Sequence, residues 1–332
     1  MKILITGAGS VMGQSIFHAL AQYSFDTSVE IAFANSDALG AGMYFTDDRL
    51  RIVDRPILPL AASPDYVDVL ADYVTTNNID IVFAGTQHEL VKIADFGARL
   101  GVAATLSPKL VDLCLDKAAL AHALESRGVP VATTWSARDF LTADATEKTR
   151  YIMKPSFSSA SRGLILRDSA SELREVIAAT ANTEQLVVQE VLTGPEFTTG
   201  CYVDRYTEQL TTITFQRDLS PDGASVYGEV IVNDAIQAYM TDIHGALRDE
   251  GFDYGHYNVQ FILSAEGPRL FEINGRLSST EAPKAHFGFN SCAAYIANKV
   301  LEKPFNELVP ATRGKFLRYY EEVYFDEGNG RP

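Results

Sequence analysis

Four clusters of side chains along the 332-residue chain are suited to charge, phosphate and metal chemistry. The last of them is Phe271-Glu272-Ile273-Asn274-Gly275-Arg276, an alternating strand end. Alternate residues of a strand share a face, so Glu272, Asn274 and Arg276 are expected to point into one cleft. A carboxylate and an amide oxygen suit Mg2+, which takes hard oxygen ligands and keeps phosphate oxygens as partners. Arg276, one step further, would meet a transferred phosphoryl group or an anionic intermediate. The strands 257–263 and 268–273, joined by Ser264-Ala265-Glu266-Gly267, read as a hairpin that brings Gln260 across from this row.

The other three clusters lie earlier. Lys117 follows Asp116 just inside a helix start. Lys154 ends a strand and opens the run Pro155-Ser156-Phe157-Ser158-Ser159-Ala160-Ser161-Arg162-Gly163. Loops of small residues let backbone N–H groups approach phosphate oxygens, and a lysine adds a point charge. The third cluster is Gln189-Glu190-Val191, followed by Gly194-Pro195-Glu196-Phe197-Thr198. Taken singly, Lys117 and Lys154 read better as ordinary surface lysines, and Glu272 with Arg276 could be a solvated ion pair.

These residues need elements to hold them. Residues 2–6 form an apolar run ended by Gly7-Ala8-Gly9-Ser10, and a helical pattern follows from Gly13 to Tyr23, with Ile16, Phe17 and Leu20 on one face. Further apolar runs occur at 30–34 and 79–84, separated by a helical stretch at 64–76 with Pro64 at its first turn. Strands alternating with helices predict a parallel, doubly wound sheet that ends near residue 112. A helix is expected at 116–127, stopped by Gly128-Val129-Pro130, then strands at 151–154 and 163–166, a helix at 169–180 and a strand at 186–191. Alternation at 196–203 and 210–216 predicts antiparallel strands, and the residues after Phe305 are expected to close the last sheet.

Composition narrows the partners. Hydrophobic residues make up 46% and charged residues 21%, the profile of a soluble globular protein large enough for two or three domains. The net charge of −15, without a basic block, disfavours nucleic acid and anionic membranes. Cys114, Cys201 and Cys292 lack CxxC spacing and read as reduced, buried thiols. No apolar run approaches the ~20 residues that span a bilayer, and the chain opens directly on a strand, so a cytoplasmic location is expected.

In their order and spacing the four clusters resemble the ATP-grasp superfamily, most of all the synthetase units of the carbamoyl-phosphate synthase large subunit, with D-alanine–D-alanine ligase as a second relative. Glu272-Ile273-Asn274-Gly275-Arg276 matches the family's E-x-N-x-R strand end, and Leu277-Ser278-Ser279-Thr280 with Ala285-His286-Phe287-Gly288 continues the likeness. Tyr257-Asn258-Val259-Gln260-Phe261 is similar to its N-V-Q-F strand, and Lys154-Pro155-Ser156-Phe157 to the start of its phosphate loop. The resemblance covers residues 1–305. It implies a mixed α/β and α+β fold: a Rossmann-like pre-ATP-grasp domain (1–112), then a two-lobed ATP-grasp domain with lobe 1 at 113–190 and lobe 2 at 191–332. It further implies ATP as cofactor with Mg2+, or Mn2+ in its stead, held by Gln260, Glu272 and Asn274. Lys117, Lys154, Ser156, Ser158, Ser159 and Gly163 would cradle the phosphates. Adenine would sit at the Gln189-Glu190-Val191 hinge, read by backbone hydrogen bonds, with Glu196 on the ribose. Arg276 and Lys154 would carry catalysis, joining a small carboxylate to an amine through an acylphosphate. A homodimer is common among such relatives.

The chain departs from the pattern at three points. Its phosphate loop is serine-rich with one terminal glycine; Ser225 falls where the synthetase units carry a histidine, and Ser279 where a second arginine is usual. With a single unit, carbamoyl-phosphate synthesis itself is not expected. Two other readings stand beside the ligase. Gly7-x-Gly9-x-x-x-Gly13 with Asp37 would suit an NAD(P)-dependent oxidoreductase, although the same glycines serve a tight strand–helix turn facing the cleft. A non-catalytic ATP-binding module is the other. His88, His244, His256 and His286 lack metal spacing and read as loop or core residues, His256 being nearest the metal strand; Cys201 reads as core. Arg217 and Tyr227 are either acceptor contacts or structural.

Overall fold

The computed structural model describes residues 1–156, 163–221 and 223–325. The first part holds β1 (Lys2–Ile5), α1 (Val11–Ala21), β2 (Glu30–Phe33), β3 (Arg51–Asp54), α2 (Tyr66–Asn77), β4 (Ile81–Phe83) and α3 (Gln87–Leu100). Its four strands pair in parallel in the order β3-β2-β1-β4. A parallel strand is covered on both faces, and Ile3, Leu4 and Ile5 are accordingly fully buried. Ile16, Phe17 and Leu20 of α1 bury the face read from the sequence. The second helix starts later than its proline suggests: Asp65 is the N-cap, which leaves Pro64 outside the helix.

The middle part comprises α4 (Pro108–Leu115), α5 (Lys117–Glu125), β5 (Thr134–Ser136), α6 (Ala137–Phe140), β6 (Tyr151–Pro155), β7 (Ile165–Arg167), α7 (Ala170–Ala179) and β8 (Leu186–Glu190). Asp116 caps α5, its carboxylate accepting from the N–H groups of Ala118 and Ala119 at 3.1 Å each. This cap places Lys117 in the first turn. The strands form a small antiparallel sheet, β5-β8-β6-β7, over its own core of Phe140, Tyr151, Met153, Leu173, Ile177 and Val188.

The last part contains β9 (Glu196–Val203), β10 (Leu210–Leu219), β11 (Ser225–Val230), α8 (Asp234–Asp249), β12 (Gly255–Ser264), β13 (Gly267–Asn274), α9 (Glu281–His286), α10 (Ser291–Lys299) and β14 (Lys315–Leu317). The six strands form an antiparallel sheet ordered β13-β12-β9-β10-β11-β14, and β14 closes it beside β11 as expected of the chain after Phe305. Strand alternation divides its faces. Phe197, Cys201, Tyr257, Val259, Phe261 and Ile273 join one apolar core with Ile236, Met240, Ile243 and Leu247 of α8. The intervening residues Thr198, Gly200, Asn258, Gln260, Glu272 and Asn274 therefore occupy the opposite face, and that face carries the site.

Candidate active site

A cleft of about 630 Å³ opens on the polar face of the large sheet, walled by the small sheet and by the starts of α1 and α3. The strand register arranges its floor in rows. Gln260 lies opposite Glu272 on one side and Thr198 on the other; Asn258 lies opposite Asn274 and Gly200. Gln260, Glu272 and Asn274 all face the cleft. Three side-chain oxygens on paired strands make a donor set that fits a hard divalent cation.

Above this floor two lysines converge from the small-sheet part. Lys117, 5% exposed, donates to the Ser156 carbonyl at 2.9 Å and approaches Glu272 at 3.5 Å. Lys154, near the end of β6, sits 5.9 Å from the Phe271 ring centroid. Burial pushes its ammonium down to about 8; Glu272 works against that shift and Lys117 adds to it. Lys154 and Asn274, 120 residues apart in sequence, thus line a single cleft.

At the hinge, Gln189, Glu190 and Val191 line the wall, but their polar groups are largely committed to the protein itself. The Gln189 amide donates to Thr134 Oγ1 at 2.9 Å and to the Phe271 carbonyl at 3.2 Å. The N–H groups of Glu190 and Val191 donate to the carbonyls of Thr133 and Arg150. Glu190 accepts from Thr133 N–H at 2.7 Å, from its hydroxyl at 2.8 Å and from Arg269. Its carboxylate is a clasp between the hinge and β13, which no feature of the Gln189-Glu190 dipeptide announces. Glu196 faces the cleft and accepts a forked pair from Arg217 at 3.0 and 2.6 Å. Arg217 is thereby a cleft residue that orients Glu196, whereas Tyr227 donates to Glu229 at 3.0 Å and lies off the wall.

Of the loop residues, Ser156 is buried, its N–H donating to the Gln185 carbonyl at 2.7 Å. Gly163 adopts a φ of +72° beside Pro155. Neither is on the cleft wall, and Ser158 and Ser159 lie outside the described residues.

Arg276 ties the far end together. Its Nε donates to Gln87 Oε1, and a terminal nitrogen donates to the Leu277 carbonyl at 3.0 Å and to Met12 Sδ at 3.4 Å. The N-terminal part therefore holds this arginine from two helix starts. Ser10, Met12, Thr86 and Gln87 form that wall together with Ser278, Ser279 and Thr280. Gln87 and Met12 left no trace in the sequence, since their contacts span 189 and 264 residues. Asn258 could have been found, because it shares the period-two face of Gln260.

The glycine turn does not offer a dinucleotide surface. A Cβ on Gly9 would lie 2.8 Å from Gly40 Cα, and one on Gly42 would lie 1.9 Å from the Ala8 carbonyl oxygen. Segment 40–42 is packed onto the turn where a pyrophosphate would need room. Asp37 accepts from the Leu39 N–H at 2.8 Å and is off the cleft wall. His256 is fully buried and kept neutral, its pKa pushed down to about 3 by burial. Cys114, Cys201 and Cys292 are buried free thiols, and Cys201 contacts Met240 Sδ at 3.9 Å in the core. Among the described residues no group of three His, Cys, Asp or Glu could hold a metal, so the oxygen set above depends on Gln260 and Asn274 amides. None of the described helices is long and apolar enough to cross a membrane.

No protein-family model matches the chain. A curated relative, the uncharacterized protein y4rH of Sinorhizobium fredii (strain NBRC 101917 / NGR234), is 24% identical over 279 residues, which are 71% of this chain and 55% of that protein. The chain thus spans about half the length of the relative it matches. Solved structures are similar over nearly the whole chain. An L-amino acid ligase from Bacillus licheniformis has a TM-score of 0.69 at 16% identity, covering 93% of this chain and 77% of that one. An N5-carboxyaminoimidazole synthetase from Staphylococcus aureus complexed with ADP has a TM-score of 0.70 at 12% identity, covering 95% and 81%. The biotin carboxylase domain dimer of Hydrogenobacter thermophilus 2-oxoglutarate carboxylase, in complex with MgADP, ADP and bicarbonate, has a TM-score of 0.66 at 14% identity, covering 91% and 70%. The chain has the ATP-grasp fold.

Proposed function

We propose that this protein is an ATP- and Mg2+-dependent ligase that joins a small carboxylate to an amine through an acylphosphate. The observation that carries this reading is the convergence in one cleft of Lys117 and Lys154 with Gln260, Glu272 and Asn274. The two lysines would pair with a bound triphosphate, and Gln260, Glu272 and Asn274 would hold an Mg2+ that supplies positive charge to its phosphates. In this reading the domains divide at 1–112, 113–190 and 191–332. The adenine edge is read by backbone beyond Val191, at Leu192 on the same wall, since the N–H groups of Glu190 and Val191 are engaged within the protein. Glu196, oriented by Arg217, takes the ribose hydroxyls.

The substrate carboxylate oxygen attacks the γ-phosphorus, the bond from that phosphorus to the β-γ bridging oxygen breaks, and ADP leaves. Lys154 and Arg276 stabilise the charge that moves between the oxygens. The amine nitrogen then attacks the acyl carbon, phosphate departs with the C–O bonding pair, and the nitrogen loses a proton. Arg276, fixed by Gln87 and Met12, faces both anionic transition states. The carbamoyl-phosphate-synthase likeness of the motifs extends to this chemistry and not to that product, because there is a single unit and Ser225 and Ser279 stand where those units carry a histidine and a second arginine. A homodimer and a cytoplasmic location belong to the same proposal, with the dimeric biotin carboxylase domain as the precedent for the first.

A screen of acid and amine pairs for ADP and phosphate release tests it. Magnesium-dependent release is expected only with the matching pair, and Glu272→Ala should lower it about a hundredfold or more while thermal unfolding stays unchanged. Turnover by Glu272→Ala at the wild-type rate would refute the metal assignment.

A further inference from the structure

Next to the Asn258–Asn274 row lies a charged group that the reaction above does not use. Lys284 of α9 and Glu281, the first residue of that helix, are buried together, 0% and 1% exposed. The ammonium donates to Glu281 Oε1 at 2.9 Å, to Asn258 Oδ1 at 2.9 Å and to Ser278 Oγ at 3.0 Å. Three bonds match an ammonium's three protons. The lysine stem reaches this position by crossing β9 at Gly200, where a Cβ would lie 2.8 Å from Cε and 2.9 Å from Nζ. Any side chain there would close the passage. Buried charge is costly unless fully paired, and apolar residues would fill the same space more simply. What the pair accomplishes has to be sought in what it holds.

It holds two pieces of the cleft at once. On one side is Asn258, opposite Asn274 in the strand register and bonded through Nδ2 to Thr198 Oγ1 at 3.0 Å. On the other is Ser278, two residues past Arg276, whose N–H donates to Glu281 Oε1 at 2.9 Å. We infer that Lys284 is a positioning residue, a brace that fixes the turn carrying Arg276 against the strand row carrying the oxygen ligands. Lys284 touches no reacting atom; it sets the distance between the groups that do. Its catalytic consequence rests on the ligase reading, whereas the brace itself does not.

The test uses the double variant Lys284→Met/Glu281→Gln on the full chain. The amide that replaces the carboxylate keeps an oxygen to accept from the Ser278 N–H, and its NH2 group donates to the Ser291 hydroxyl that now donates to Glu281. The change therefore isolates the lysine's grip and leaves no buried charge unpaired. Gly200→Ala is the second variant: it keeps every charge and crowds the lysine stem. Hydrogen exchange of residues 277–280 is measured on the resting protein, with no ligand added. Exchange about tenfold faster than wild type in the double variant, with the unfolding temperature retained, is expected; unchanged exchange overturns the brace. With the acid and amine pair from the release screen, both variants should lose about tenfold to a hundredfold in kcat, the KM for ATP staying within twofold. A kcat equal to wild type, with exchange accelerated, overturns the positioning role. Wild-type protein that releases no ADP with any pair sinks the ligase reading instead, and the wild-type control separates that result from the others.

Discussion

Two buried lysines in this molecule face opposite situations. Lys284 has every ammonium proton placed, on Glu281, Asn258 and Ser278. Lys154 has no hydrogen bond or salt bridge among the described residues, only the Phe271 ring and the field of Glu272 and Lys117. Both ammoniums are desolvated, so the difference lies in what compensates them. Lys284 is compensated by the fold, which makes it part of the scaffold. Lys154 is compensated among the described residues only by the field of Glu272, and burial lowers its affinity for a proton. The lesson is that a buried charge with complete partners reads as architecture, while one with incomplete partners reads as a binding site for the opposite charge.

The largest effect expected from this contrast is on stability. Lys284→Met alone leaves Glu281 buried without its main partner. Burial by itself would raise the Glu281 carboxyl, yet Lys284, with help from His256 and Ser291, holds it at about 2. Breaking a buried pair from one side costs about 3–5 kcal/mol, so the urea midpoint should fall sharply, and adding Glu281→Gln should restore most of it. A single variant as stable as wild type would mean that the pair is not compensated in the way described.

The second effect is on ligand affinity, with the sign set by linkage. In the proposed reading a triphosphate pairs with the protonated form of Lys154, and that form is lost as pH rises through about 8. Between pH 7 and pH 9, at constant Mg2+, nucleotide affinity should weaken about tenfold as the proton has to be regained on binding. Lys154→Arg keeps its charge throughout, so titration calorimetry at the two pH values should give it a flat profile. A wild-type affinity that does not change over this range would remove Lys154 from the phosphate site.

The same contrast explains what the sequence disclosed. The row Glu272, Asn274, Arg276 was legible because strand alternation is a local property, and Gln260 because a short hairpin fixes register over a few residues. The parallel order of the first sheet followed from strand–helix alternation. Glu190 lines the cleft, but its carboxylate is held by Arg269, 79 residues on, a partner that strand alternation does not reveal. Lys284 was silent, since Glu281-Ala282-Pro283-Lys284 reads as an exposed helix start and only the glycine at position 200 makes room for burial. Helix α10 escaped notice for a related reason. All its residues but the last are buried, so no polar face marks a helical period. α3, by contrast, carries its own pattern: Thr86 caps its start, Gly101 ends it, and Leu90, Ile93, Ala94 and Gly97 share its buried face.

The smallest effect scales the other two. Lys315 and Glu229 pair at 3.2 Å across β14 and β11, with side chains 61% and 39% exposed. The contact resembles the Lys284–Glu281 pair on paper, a lysine nitrogen near a carboxylate oxygen. Here, however, water solvates both groups before and after pairing, and salt screens what attraction is left. The backbone pairing of Tyr227 with Leu317 and of Gly228 with Phe316 holds the edge strand without the lysine's help. Lys315→Ala should therefore leave the urea midpoint within the scatter of wild type, at low and high salt alike, and turnover within twofold. Were it to destabilise the protein as much as Lys284→Met does, charge alone would account for both, and burial would lose its standing as the property that separates a scaffold lysine from a surface one.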